Sequence, residues 1–195
     1  SSVLVSAGYS VVLATEAAEI RAAQKLRYQV FATELGAELE SAGAALDVDR
    51  FDALCDHLLI RDDATGACVG TYRMLPPGRS GELYSDGEFH LDRLGDLRSQ
   101  LVETGRSCVH PDHRNGAVIG LMWAGIARYL HLSGHRWLAG CASVPLADGG
   151  EAAAATWGVV SAKHLAPDAH RVEPRNPWEG PSGVAPRLSL VPPLL

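Results

Sequence analysis

The sequence predicts a single α/β domain, a mixed sheet with flanking helices. Three observations carry that expectation. Apolar runs at 57–61 ("HLLIR") and 67–75 ("ACVGTYRML"), parted by the turn-rich "DDATG", read as a β-hairpin. The run "LVETGRSCVH" at 101–110 passes almost directly into "RNGAVIGLMWAGIARYLHLSG", which is the order strand, glycine-bearing loop, apolar helix. A chain of 195 residues, 47% hydrophobic and 21% charged, is also enough for one ordinary core.

Taken in order, the alternation over 9–13 predicts a short strand. Thr15, followed by Glu16 and Glu19, reads as an N-cap with acidic residues in the first turn, opening a helix that stops at Gly36. On that helix Ala23, Leu26 and Val30 form an apolar stripe, while Arg27, Phe31 and Glu34 share a neighbouring face by their i, i+4, i+7 spacing. The acidic stretch "ELESAGAALDVDRFDALCD" at 38–56 predicts a loop or short helix that delivers carboxylates. Pro76, Pro77 and Gly78 end the second hairpin strand. A short helix is expected near 91–97, a strand over 101–110 closed by Pro111, and a helix from Gly116 to a stop at Gly134. A buried strand over 136–142 and a helix over 151–164 follow, and the Pro- and Gly-rich remainder predicts loop-rich chain from about 165 on.

Composition excludes several function classes. A formal net charge of −6 and a pI near 5.7 argue against a nucleic-acid binder, which needs a basic surplus. Cys55, Cys68, Cys108 and Cys141 show no CxxC spacing, as expected of reduced, buried thiols in a cytosol rather than a disulfide framework or zinc site. His110 with His113, and His131 with His135, lack the second pair that a metal needs, so no metal site is expected. Ser107, Cys108 and Ser143 lack a G-x-S-x-G elbow, which argues against a covalent intermediate. No apolar run is long enough to span a membrane, and the start lacks a signal peptide's cationic flank, so a cytoplasmic protein is expected.

Gly116 and Gly120 stand one turn apart at the start of the apolar helix, with Ala124 one turn further and Arg114 just before. Small residues there either let a ligand's phosphates approach free N–H groups at a positive helix end, or let the helix pack closely on the sheet. The order of elements resembles the Gcn5-related N-acetyltransferase fold, whose loop reads Gln/Arg-x-x-Gly-x-Gly/Ala; residues 114–120 depart from that pattern. The polar residues in "LRYQVF" (Arg27, Phe31), "DVDRFD" (Asp49, Asp52), "GTYRML" (Arg73) and "VETGRSCV" (Glu103, Arg106) resemble the acyl-homoserine-lactone synthases of that fold. With "GRSCVHPDHRNG", "LMWAGIARYL", "LAGCAS" and the final "PPLL", the chain most resembles the ornithine-lipid type, or hemolysin-like, N-acyltransferases over about residues 27–143.

That resemblance implies transfer of a 3-hydroxyacyl chain from acyl carrier protein, or CoA, to the α-amine of ornithine or a similar amino acid, with no tightly bound cofactor. Glu103 is the first candidate for general base, acting through water, with Arg106, Asp49 and Asp52 beside it to meet the acceptor's amines. Arg27, Phe31, Arg73 and Ser143 are candidates for substrate contact; the arginines either bind the acceptor carboxylate or organise the acids by bidentate pairing. Cys108, Val109, His110, Arg114, Asn115, Gly116 and Gly120 are candidates for holding the donor's phosphopantetheine arm. Met122, Trp123 and Tyr129 are expected in the core, some lining an acyl tunnel, and Arg114, Arg128 and Arg136 either form a patch for acidic carrier protein or are scattered. Two other functions stay open: synthesis of an acyl-homoserine lactone or another N-acyl amino acid, and a non-catalytic module that binds acyl chains or acyl carrier protein. A lipid-like product is compatible with loose association at the inner face of a membrane. The family's chain continues past "PPLL", so a last strand is expected to be missing.

One geometric expectation follows from the strand itself. In an unbroken strand Glu103 and Arg106 point to opposite faces. Gly105 lies between them, so a β-bulge or splay within 104–109 is predicted, bringing both to one face and freeing N–H groups for the thioester arm.

Overall fold

The computed structural model describes residues 2–39 and 41–192, so the "PPLL" motif lies outside the described residues from Pro193 onward. Along the chain the strands are β1 (Ser2–Ser6), β2 (Tyr9–Leu13), β3 (Asp56–Asp62), β4 (Cys68–Leu75), β5 (Phe89–His90), β6 (Leu101–Val109), β7 (Trp137–Ala139) and β8 (Glu173–Pro174). The α-helices are α1 (Ala17–Tyr28), α2 (Gly116–Ser133) and α3 (Glu151–Lys163). Two compact units emerge: Ser1–Leu83 with Arg98–Gly140, and Tyr84–Leu97 with Cys141–Leu195.

The first unit is built on a sheet of order β1-β2-β3-β4-β6-β7. Its neighbours are antiparallel except β6 and β7, which run parallel. Alternation places Val11, Leu58, Ile60, Met74 and Val102 on one face, and α2 covers them with Val118, Leu121, Met122 and Ile126. Glycine is required at Gly125, where a Cβ would stand 3.0 Å from the Leu58 and Val11 side chains. Asn115 caps α2 by accepting the Val118 N–H at 3.1 Å, and Gly134 stops it at a φ of 73°. On the opposite face Leu26 of α1 and Val30 of the turn that follows it pack against Cys108.

Several elements differ in detail from the sequence expectation. α1 is capped by Glu16, one residue after Thr15, because the Glu19 carboxylate accepts both the Thr15 N–H (2.9 Å) and the Glu16 N–H (3.3 Å) and takes the Arg61 guanidinium at 2.8 Å. Beyond Tyr28 the helix widens into a π-helical turn, Gln29–Glu34, before ending at Leu35 and Gly36. The strand expected over 136–142 is the three-residue edge strand β7, and it is not buried: Trp137 is 43% exposed. Its pairing stops at Glu103 with Ala139, so nothing extends it. Trp123 is likewise 38% exposed on the outer side of α2 rather than in the core.

In the second unit β5 and β8 form a short antiparallel pair that the sequence did not signal. The helix expected near 91–97 is a 3-10 segment, Asp92–Gln100, while α3 lies within the helix expected over 151–164. Trp178 packs on Gly150 and Gly180, where a Cβ would come within 2.5 Å of its ring, and Thr156 donates to the Leu190 carbonyl at 3.3 Å. All four cysteines are free thiols. Among the described residues no helix is long and apolar enough to cross a membrane.

Candidate active site

The site begins with an irregularity between two strands. Thr71 pairs with Cys108 and Arg73 with Gly105, so between those pairs Tyr72 alone faces both Arg106 and Ser107. This is a β-bulge within the predicted window. The residue that absorbs it is Arg106, at a φ of 51°, rather than Gly105. An arginine in left-handed backbone costs of order 1 kcal/mol, so its surroundings must hold it there. They do, because the bulge turns its guanidinium onto the α1 face, where Arg106 Nη2 meets Asp49 Oδ2 at 3.4 Å and Nε lies 3.5 Å from Asp47 Oδ2. Residues paired across a ladder share a face. His57 opposite Arg73, Arg73 opposite Gly105, and Leu75 opposite Glu103 therefore set His57, Arg73 and Glu103 on that same face.

The acidic loop closes over this row. Arg27, fully buried on α1, donates from Nε to Asp47 Oδ2 at 2.9 Å and from Nη2 to both Asp52 oxygens at 2.8 and 2.9 Å, and Nη2 also reaches the Asp47 carbonyl. Arg73 Nη1 donates to Asp49 Oδ1 at 2.6 Å and lies 3.5 Å from Asp52 Oδ2. The loop backbone is fixed by its own carboxylates: Asp52 accepts the Asp49 N–H and Asp49 the Phe51 N–H, at 2.9 and 2.8 Å. His57 Nε2 donates to the Asp52 carbonyl at 3.1 Å. Its Nδ1 and Arg27 Nη1 are buried without hydrogen-bond partners among the described residues.

Charge explains the protonation states. Burial pushes the Asp49 carboxyl up, but the Arg73 hydrogen bond and charge, the Phe51 N–H and Arg106 outweigh it and hold Asp49 below the ordinary carboxylate range. Burial lowers His57 despite the pull of Asp52, so its ring is neutral near pH 7. The Cys55 thiol is pushed up to about 12, first by burial and further by Asp52, Asp49 and Glu103, against Arg73. Three guanidiniums thus face Asp47, Asp49 and Asp52, and the buried Glu103 lies on the same face of the sheet.

Burial sorts the candidate residues. Arg27 has no accessible surface and pairs with Asp47 and Asp52. Asp52 is buried and takes the Arg27 guanidinium and the Asp49 N–H. Asp49 and Arg106 keep some exposure, with 15% and 29% of their side chains accessible. Asp47 and His57 were missed as site residues; the "LDVDRFD" spacing was the signal for the first, and only the strand register reveals the second. Phe31 is half-buried beside Leu26 and Val30. Ser143 is exposed, in irregular chain of the second unit.

The α2 start is equally specific. Gly116 and Gly120 have nothing within 4 Å of a built Cβ, so packing on the sheet does not require them; Gly125 performs that task. The Asn115 side-chain oxygen accepts the Val118 N–H, and the first-turn N–H groups of Gly116 and Ala117 have no partner among the described residues. Cys108 and Val109 are core side chains, so neither presents a side chain to a ligand; the Cys108 thiol is pushed far up by burial, which also disfavours it as a nucleophile. His110 Nδ1 accepts the Asp112 N–H at 3.3 Å, the capping role expected of it, and His113 shares a 3.0 Å hydrogen bond with the Tyr9 hydroxyl. Beyond Glu103, β6 has no β7 partner among the described residues. No three His, Cys, Asp or Glu among the described residues are placed to hold a metal ion.

A family model described as an acetyltransferase (GNAT) domain matches residues 26–124. The chain is 42% identical over 132 residues to the L-ornithine N(alpha)-acyltransferase of Rhodobacter capsulatus, covering 63% of this chain and 51% of that protein. It is 40% identical over 148 residues to the protein of the same name from Rhizobium meliloti, covering 68% and 49%. The chain therefore spans about half the length of the curated relatives it matches. Among solved structures it is similar to BjaI, a CoA-dependent acyl-homoserine lactone synthase solved with SAM and isopentyl-CoA, at a TM-score of 0.51 and 20% identity over 73% of this chain and 70% of that one. At that identity the likeness bears on the fold alone.

Proposed function

Because this chain belongs to the acetyltransferase (GNAT) domain family, we propose that it works as one N-acyltransferase domain that moves a 3-hydroxyacyl group from acyl carrier protein to the α-amine of ornithine. The name shared by its relatives supports the acceptor. The observation that carries the reading is the end of the β6–β7 pairing at Glu103 and Ala139, beside a bulge that turns Arg106 onto the face of Glu103 and Arg73. An extended pantetheine arm lies along the freed edge of β6, with its phosphate at the start of α2 and its thioester carbonyl on β6 N–H groups.

The chemistry then balances. The acceptor enters as an ammonium and meets the carboxylates of Asp49 and Glu103. Glu103 takes one proton through water, and the amine nitrogen attacks the thioester carbon. The C–N bond forms as the C–S bond breaks, and the departing thiolate takes the second nitrogen proton. Arg106, with part of its side chain accessible, meets the acceptor carboxylate. Arg27 and Arg73 hold the loop that shapes the pocket, and a lipid-like product favours work at the inner face of a membrane.

The test is product analysis: incubation with a 3-hydroxyacyl carrier protein and a panel of amino acids, read by mass spectrometry. N-acyl-ornithine is expected. Glu103→Gln is expected to lower turnover about 10²- to 10⁴-fold with donor binding intact; full activity in that variant removes Glu103 as base. A product only with another amine moves the assignment to a different N-acyl amino acid, and donor binding with no product moves it to a binding module.

A further inference from the structure

Arg114 is the only Lys or Arg between Arg106 and Arg128, hence the only permanent cation in the β6–α2 connection. Its charge is already matched. Arg114 Nη1 and Nη2 donate to Glu34 Oε1 and Oε2, each at 2.6 Å, in a fork-on-fork pair, and its Nε donates to the Val109 carbonyl at 3.1 Å. Glu34 is the last residue of the π-helical turn Gln29–Glu34. At the other end of that turn the Gln29 amide lies 3.1 Å from His110 Nε2. The wide turn therefore grips the connection at two points, and its extra residue rotates Glu34 by about 100° from where a regular helix would aim it. The pair is half-exposed, so its stabilising effect is small. Its electrostatic effect on a neighbouring anion site is not.

We propose that Glu34 is an internal counter-anion that sets how much negative charge the α2 N-terminus accepts, and so acts on donor choice through Arg114. The inference rests on the donor-site reading above. With Arg114 neutralised, only the helix end and its first N–H groups attract anions. That suits the single charge of a phosphodiester on a carrier-borne pantetheine arm. CoA brings a pyrophosphate and a 3′-phosphate, and it meets Glu34 as a like charge. Glu34 is thus a specificity-positioning residue.

Calorimetric binding of CoA, 4′-phosphopantetheine and phosphate-free pantetheine to the chain tests this. Glu34→Gln is expected to tighten CoA about five- to tenfold at low salt, with the gain falling below about twofold near 0.5 M salt as screening sets in. Pantetheine affinity stays unchanged. Arg114→Gln alone is expected to weaken CoA about five- to tenfold at low salt, because it leaves Glu34 as an unmatched anion beside the site, and adding it to Glu34→Gln abolishes the gain. A thermal melt shows whether each variant is folded. Weaker or unchanged CoA binding by a folded Glu34→Gln overturns the proposal, as does equal tightening of pantetheine, which marks a merely structural effect. If no phosphorylated probe binds any variant, the donor site itself is refuted and the inference falls with it. If the ornithine product forms while Glu34→Gln leaves CoA binding unchanged, only the inference falls.

Discussion

Arg27 shows how one buried charge organises a site. Its guanidinium joins the first helix to Asp47 and Asp52 with no accessible surface, and Arg27 Nη1 and His57 Nδ1 are left without partners among the described residues. Each orphan costs about 1–3 kcal/mol, so the cluster is not what a fold tuned for stability alone would contain. Removing the arginine is worse, since it leaves the buried Asp47 and Asp52 with only the 3.5 Å guanidinium contacts to Arg106 and Arg73. Arg27→Met is expected to destabilise the chain by about 3–5 kcal/mol in urea unfolding. A loss below about 1 kcal/mol would show that Arg73 and Arg106 suffice to hold the two aspartates. In the sequence Arg27 stood out by sharing a face with Phe31 and Glu34 and by the resemblance of "LRYQVF"; its partner Asp47 comes from a loop twenty residues away.

At the scale of elements, two glycine substitutions separate packing from ligand approach. Gly120 lies on the outer side of α2 with nothing within 4 Å of a built Cβ. Gly120→Ala is expected to raise stability by about 0.5–1 kcal/mol through helix propensity while weakening donor binding, because the methyl group stands where a phosphate comes close. A rise in stability with unchanged donor affinity places the donor elsewhere. Gly140, where β7 leaves β6, is the opposite case: a Cβ there would be 2.2 Å from the Thr104 carbonyl oxygen. Gly140→Ala is expected to destabilise by more than about 2 kcal/mol and to disturb the parting of the strands, seen as lost amide protection over 101–104. Hairpin, bulge window, α2 and α3 were legible because periodicity and glycine placement are local signals. The π-helical turn and the brevity of β7 were not, because contacts with residues distant in sequence decide them.

For the whole molecule, titration sets a pH profile whose sign follows from two opposite kinds of group. His57 is held below its ordinary value, so as pH falls from about 6.5 the unfolded chain binds a proton that the folded chain refuses. Stability is full above that point and falls by up to about 1.4 kcal/mol per pH unit below it. Glu19, held low by the Thr15 N–H against burial, Glu34, held low by Arg114, and Asp49 contribute stability that is intact above the unfolded carboxylate range near 4 and disappears as pH drops through their folded values. Urea unfolding from pH 8 to 3 is expected to show two descending limbs, and His57→Gln to flatten the upper one. An upper limb unchanged in that variant rules out His57 as its source.

The sequence by itself determined the α/β class, the hairpin, the strand-loop-helix unit, the net acidity and most residues of the charged row, since these depend on local alternation, turn residues and composition. Only the tertiary structure decided what those charges do. Pairing β4 with β6 one residue out of step turned Arg106 beside Arg73, and folding 38–56 over α1 matched Asp47, Asp49 and Asp52 with arginines. Three of the carboxylates that composition suggests for an amine pocket are thereby matched by arginines. The physical reason is that a carboxylate's role depends on its nearest cation and its exposure to water, and both are set by contacts between residues far apart in the chain.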